Sequence, residues 1–282
     1  MLTFAKKINC EVFKMKKFLK VASIVLVIAM LACFASCGGN GDEKEKLIMA
    51  TNAAFPPYEY KEGDKIVGID AEIAEAIAKE LGMELEIIDT EFGSIVGGVQ
   101  SGKYDIGMAG MTVTEDRLKS VNFSTSYAKG VQSVIVLEDS KYTSYEDFYT
   151  GYDKDGNPNG VIDDLKIGVQ QDTTGDIYAS DKPEKWGFGE DSVIRYKTGA
   201  DAVQALIAGK VDCVIIDNEP AKSFVEANEG LKILKTSYVE EDYAIAIAKE
   251  DTELLEKINA ALEKLTDDGT IPGIIEKYIP AK

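Results

Sequence analysis

Twice in this chain a helical pattern runs into a Gly-Lys-x-Asp turn and then a buried strand: "SGKYDIGMAG" (101–110) and "AGKVDCVIID" (208–217). A glycine-lysine turn closes a helix, and an aspartate before an apolar run opens a strand inside a sheet. Two copies about a hundred residues apart predict two similar α/β lobes rather than one sheet. The rest of the chain alternates in the same way. "KLIMATN" reads as a strand ending at Asn52. "IDAEIAEAIAKELG" is a helix with Ile69, Ile73, Ile77 and Leu81 on one stripe and Gly82 as its stop. "ELEIID", "YDIGMAG", "SVIVLE", "LKIGVQ" and "YAIAIAK" read as further strands, with "GSIVGGVQSGK" and "ELLEKINAALEKLTDDG" as helices. Alternating β and α elements predict largely parallel sheets covered by helices on both faces.

The first 36 residues differ in kind. Six lysines against the single Glu11 precede the apolar run "VASIVLVIAMLACFAS". A basic start, an apolar core and small residues before a cut site make a secretory signal, for which Met15 is the more natural start than Met1. Ala35 and Ser36 precede Cys37, and Gly38 and Gly39 follow, so Cys37 is expected to be lipidated and to become the new N-terminus. Cys33 fits less well as acceptor, and an uncut anchor would need a longer apolar run. Residues 37–46 then form a flexible tether. Removing the signal's six lysines and one acid leaves 25 basic and 48 acidic residues. A net charge of −23 excludes nucleic acid as a partner through the overall field. Cys213, inside "VDCVIID", reads as a small buried apolar residue.

Only two of the basic residues are arginines, Arg117 and Arg195. Arginine offers a planar fork that takes a carboxylate with two parallel bonds. In "GMTVTEDR" (110–117), Thr114 reads as a helix N-cap with acids in the first turn. Arg117 is then expected at a helix N-terminus just past a strand's carboxyl end, an anion site. Thr112 adds a hydroxyl and Gly110 lets a ligand approach the backbone. The competing expectation is an arginine tying down Glu115 and Asp116 on the surface. In "GVQQDTTGD" (168–176), Thr173 and Thr174 open a helix that faces the same anion. Asp217 ends an apolar strand and needs a positive partner, for which an ammonium group would serve. Phe55 and Phe92 follow strand ends and could sandwich a side chain, with Asn52 beside them.

The motifs "AFPPYEY" (54–60), "IVGIDAEIAEAIAKELG" (66–82), "VQSGKYDIGMAGMTVTEDR" (99–117), "VNFSTSY" (121–127), "IGVQQDTTGD" (167–176) and "VDCVIIDN" (211–218) occur in this order. Together they make the chain from about Leu47 to Tyr278 resemble the family 3 extracellular solute-binding proteins of amino-acid ABC transporters. The resemblance implies a two-lobed α/β fold of the periplasmic-binding-protein type II kind, with two hinge strands near 127–131 and 239–243. Lobe 1 would comprise 47–128 and 242–282, and lobe 2 residues 129–241. It implies a monomeric receptor, lipid-anchored outside the cytoplasm, that passes an L-amino acid to an ABC permease and needs no metal or cofactor. On the motif match, Arg117 grips the ligand carboxylate with Thr112, Gly110 and Thr173, and Asp217 takes the ammonium. Phe55 and Phe92 flank the side chain and Asn52 lies near its tip. A neutral amide at Asn52 favours a polar neutral ligand, unless Glu59 or Asp172 supplies a charge for a basic one. Asp172, just before the threonines, would repel the ligand carboxylate unless it points away.

Two other functions stay open on sequence. An enzyme on the same fold would work without histidine, since the chain has none. A sensory input domain would need a separate signalling partner. The loop "GYDKDGNPNGVIDD" (151–164) places alternate acids like a calcium loop, but Pro158 stands where that motif needs glycine. A polar hairpin tip accounts for the same residues.

Overall fold

A computed structural model describes residues 45–235 and 238–280. The signal peptide, Cys37 and all but the last two residues of the tether lie outside them. Among the described residues no helix is long and apolar enough to cross a membrane. The strands run β1 (Lys46–Thr51), β2 (Ala54–Phe55), β3 (Glu59–Glu62), β4 (Lys65–Val67), β5 (Glu84–Asp89), β6 (Ile106–Gly107), β7 (Val121–Phe123) and β8 (Ala128–Leu137). They continue as β9 (Tyr149–Tyr152), β10 (Pro158–Val161), β11 (Ile167–Gln170), β12 (Val193–Tyr196), β13 (Cys213–Asp217), β14 (Leu231–Ile233), β15 (Glu240–Tyr243) and β16 (Ala246–Ala248).

Two main sheets form, one per lobe, beside the small β2-β3-β4 sheet and the β9–β10 hairpin. The first has the order β5-β1-β6-β16-β7 and the second β12-β11-β13-β8-β14. Neither is largely parallel. β5, β1 and β6 run parallel, as do β12, β11 and β13, but each sheet turns antiparallel where a strand enters from the other lobe. β8 and β15 lie antiparallel between the lobes, with Glu240 opposite Val131 and Tyr243 opposite Ala128. The expected strand "YAIAIAK" is consequently two strands: Tyr243 ends the crossing and Ala246 begins a new pairing in the first sheet.

The repeated turn has one physical role in both lobes. Asp105 accepts a hydrogen bond from the Ile48 amide at 2.7 Å, and Asp212 accepts one from the Lys166 amide at 2.8 Å. Each carboxylate clips its own strand to the neighbouring parallel strand, and Gly102 and Gly209, both at positive φ, make the preceding turn. In the first lobe, helix Ile69–Leu81 buries Ile69, Ile73 and Ile77 against Leu47, Met49 and Ile106, and Gly82 ends it in the left-handed conformation. In the second, Cys213 is fully buried beside Ile167 in an apolar cluster, as an apolar residue should be. The 151–164 loop is the β9–β10 hairpin, in which the Asp153 carboxylate accepts from the Asp155 and Asn157 amides at the tip.

Candidate functional site

The carboxyl ends of β1 and β13, the turn after β6 and the start of helix Thr174–Ser180 converge on one narrow pocket between the lobes. Asn52, Phe55, Phe92, Gly110, Thr112, Arg117, Thr173 and Asp217, the eight residues expected from the sequence, all line it. Glu59, Ala109, Gln170 and Thr174 complete the wall.

Arg117 is only 9% exposed. Its Nη1 donates to the Thr112 carbonyl at 2.7 Å and its Nη2 to the Asp172 carbonyl of the other lobe at 3.2 Å. The guanidinium carbon lies 5.2 Å from the centre of the Phe92 ring. Among the described residues no carboxylate comes within salt-bridge distance of it. Asp116 pairs with Lys119 instead, so the surface-tying expectation does not hold. Burial pulls the Arg117 pKa below its ordinary value, partly offset by nearby acids, Glu241 foremost. The expected helix N-terminus shrinks here to a single turn, Arg117–Ser120, with Thr114 Oγ1 accepting from the Arg117 amide at 3.2 Å. Anion binding must therefore come from the guanidinium fork rather than from a helix dipole. Helix formation stops because Val121 turns at once into β7.

Gly110 has φ of 50°, and a Cβ there would stand 2.8 Å from the Phe55 ring. Its amide donates to Asp70 at 2.8 Å. Thr173 caps its helix, accepting from the Asp176 amide and donating to the Gln170 carbonyl at 2.8 Å. Its neighbour Thr174 is the more buried and meets Thr112 across the lobes at 3.4 Å. Asn52 and Gln170 also join across the lobes at 2.9 Å, while Asn52 Nδ2 donates to the Thr90 carbonyl at 2.8 Å. Asp172 is at positive φ and its carboxylate turns toward Gly93 and Gln171. It is absent from the cavity wall, which removes the expected repulsion.

Asp217 is buried and its carboxyl pKa is pushed up to about 8, by burial first and by Glu241 second. Instead of a cation it has two neutral donors, the Tyr243 hydroxyl and Gln132 Nε2, the latter at 2.9 Å. Glu59 is buried too, beside Asp70, and its Oε2 has no hydrogen-bond partner. Asp70 accepts from the Tyr127 hydroxyl at 2.8 Å, so this acid links the Gly110 turn to the start of β8. Gln132, Glu241 and Tyr243 were invisible in the sequence. They belong to crossing strands, whose side chains follow neither lobe's apolar pattern.

Two α/β lobes meet over a cleft with a guanidinium that no carboxylate pairs on one side and a buried acid on the other, the architecture of a two-lobed solute-binding protein. The model of the bacterial extracellular solute-binding proteins, family 3, matches residues 47–281, and the chain belongs to that family. The arginine-binding extracellular protein ArtP of Bacillus subtilis is 30% identical over 267 residues, 94% of this chain and 98% of its own. The ABC transporter glutamine-binding protein GlnH of the same organism is 29% identical over 290 residues, covering 94% and 98%. The solved structure of an ancestral arginine-binding protein bound to glutamine matches with a TM-score of 0.73 at 36% identity, over 84% of this chain and 99% of that one. These relatives are amino-acid-binding proteins, and the family is extracellular.

Proposed function

We propose that this protein binds an L-α-amino acid between its lobes and delivers it to an ABC permease, without chemistry. One observation carries the reading. Arg117 is buried on the cleft wall, its fork aimed at main-chain carbonyls and at no carboxylate among the described residues. An α-carboxylate supplies the missing partner, helped by Thr112 and Thr173, while Gly110, whose amide is held by Asp70, gives the ligand room to approach. Asp217 takes the α-ammonium, Phe55 and Phe92 hold the side chain, and Asn52 meets its tip. Residues 47–128 with 242–282 form one closing body and 129–241 the other. Cys37, lipidated after loss of residues 1–36, anchors the monomer to the outer face of the membrane.

The Asn52–Gln170 amide pair supports a polar neutral side chain. The unpartnered Glu59 oxygen supports a second reading, a basic side chain whose charge that acid would meet. Calorimetric titration of the purified protein against the twenty amino acids, after stripping carried-over ligand, decides both. Tight one-to-one binding is expected, and glutamine against arginine separates the two side chains. Silence across the panel would count against the amino-acid reading.

A further inference from the structure

Asp217 and Glu241 stand on different strands, β13 and β15, yet a single amide nitrogen bridges them. Gln132 Nε2 donates to Asp217 Oδ2 at 2.9 Å and to Glu241 Oε2 at 2.8 Å. Both acids are more than nine-tenths buried, and Glu241 Oε1 has no partner at all. Among the described residues neither has a cation within salt-bridge distance. The surroundings add no compensating charge at contact range. Tyr243 from β15 donates to Asp217, Thr174 shares Gln132, and Tyr178 of the same helix reaches Glu241. From the β3 side, Tyr58 and Glu59 lie within electrostatic reach of Asp217, and Glu219 within that of Tyr58. Arg117 feels both acids, but it donates elsewhere. Two buried carboxylates without a cation cannot both be ionised.

We propose that Asp217, held beside Glu241 on the same amide bridge, carries a proton when no ligand is bound and releases it to solvent as the amino acid's ammonium group arrives. The inference rests on the amino-acid reading above and adds a residue to it. Glu241 is a positioning residue that sets the protonation of the ammonium site without lining the cavity. The balance is simple. The O–H bond of the Asp217 carboxyl breaks, its proton leaves to buffer, and the ammonium N–H groups take its place on Asp217. Burial and the neighbouring acid raise the Asp217 pKa in the free protein, and the ammonium lowers it in the complex. The bound state therefore holds fewer protons, so affinity must rise with pH below the free-protein pKa and level off above it.

The test is calorimetric titration with L-glutamine and with L-arginine in buffers of different ionisation enthalpy, from pH 6 to 9. Close to one proton released per ligand is expected near pH 7, falling to about half near pH 8, before the ligand's own ammonium begins to ionise. Affinity is expected to rise about tenfold from pH 6 to 7. Glu241→Gln removes the like charge, so release near pH 7 should fall to a small fraction while binding persists. Binding with no proton release in the wild-type protein overturns the proposal and leaves the amino-acid reading intact, as does undiminished release in Glu241→Gln. No heat from either amino acid at any pH, together with silence across the other eighteen, removes the reading and the proposal together.

Discussion

The two arginines show what a binding residue looks like beside a structural one. Arg195 is 35% exposed, and every face of its fork is taken. Nε meets Asp176 at 2.9 Å, Nη1 meets Glu190 at 2.6 Å, and Nη2 meets the Ser180 hydroxyl at 2.9 Å. Those bonds, Glu190 first, push its pKa above the ordinary range. Arg117 is more deeply buried, has only carbonyls to donate to, and is shifted the other way by desolvation. One guanidinium completes a surface of the second lobe. The other keeps charge that the protein itself leaves unneutralised at contact range, a cost worth bearing only for a ligand.

Removing each arginine should break this contrast in opposite observables. Arg117→Ala should weaken amino-acid binding by about a hundredfold or more, since charge-assisted bonds contribute roughly 1.5–3 kcal/mol each. Retained affinity by calorimetry would sink its role, and its melting temperature should barely move. Arg195→Ala should do the reverse. Loss of its bonds to Asp176 and Glu190 is expected to cost about 2 kcal/mol of stability in thermal or denaturant unfolding, with affinity changed less than about threefold. Arg117→Lys sharpens the comparison, because it keeps the charge and loses the fork. About tenfold weaker binding is expected, and wild-type affinity would show that planarity is irrelevant. Lys119→Ala sets the baseline: its exposed pair with Asp116 is screened by solvent and should contribute nothing measurable to stability or to binding.

The parts of this architecture that repeat, or that end strands, were legible in the sequence. Asp105 and Asp212 could be read as strand openers because each sits in the same short phrase, and both do the same work. Asn52, Gly110, Thr112, Thr173 and Asp217 could be placed because ligands gather at the carboxyl ends of parallel strands. What could not be read depends on the meeting of two lobes. Asp172 looked like a hazard until its left-handed backbone turned the carboxylate toward Gly93. Glu241 sits in the acidic run "VEEDY" with nothing in the sequence to single it out, and pairing with β8 carries it inside. The parallel-sheet expectation failed for the same reason, since strands that leave one sheet and enter the other reverse direction.

Tyr243 belongs by its backbone to one of the two strands that connect the lobes, and by its hydroxyl to Asp217. Its ring lies across Gly130 of the other strand so closely that a Cβ there would stand 2.4 Å from it. On the proposed closure of the lobes, the mechanical joint and the electrical contact would be one side chain: a twist of these strands would change the donor that Asp217 sees.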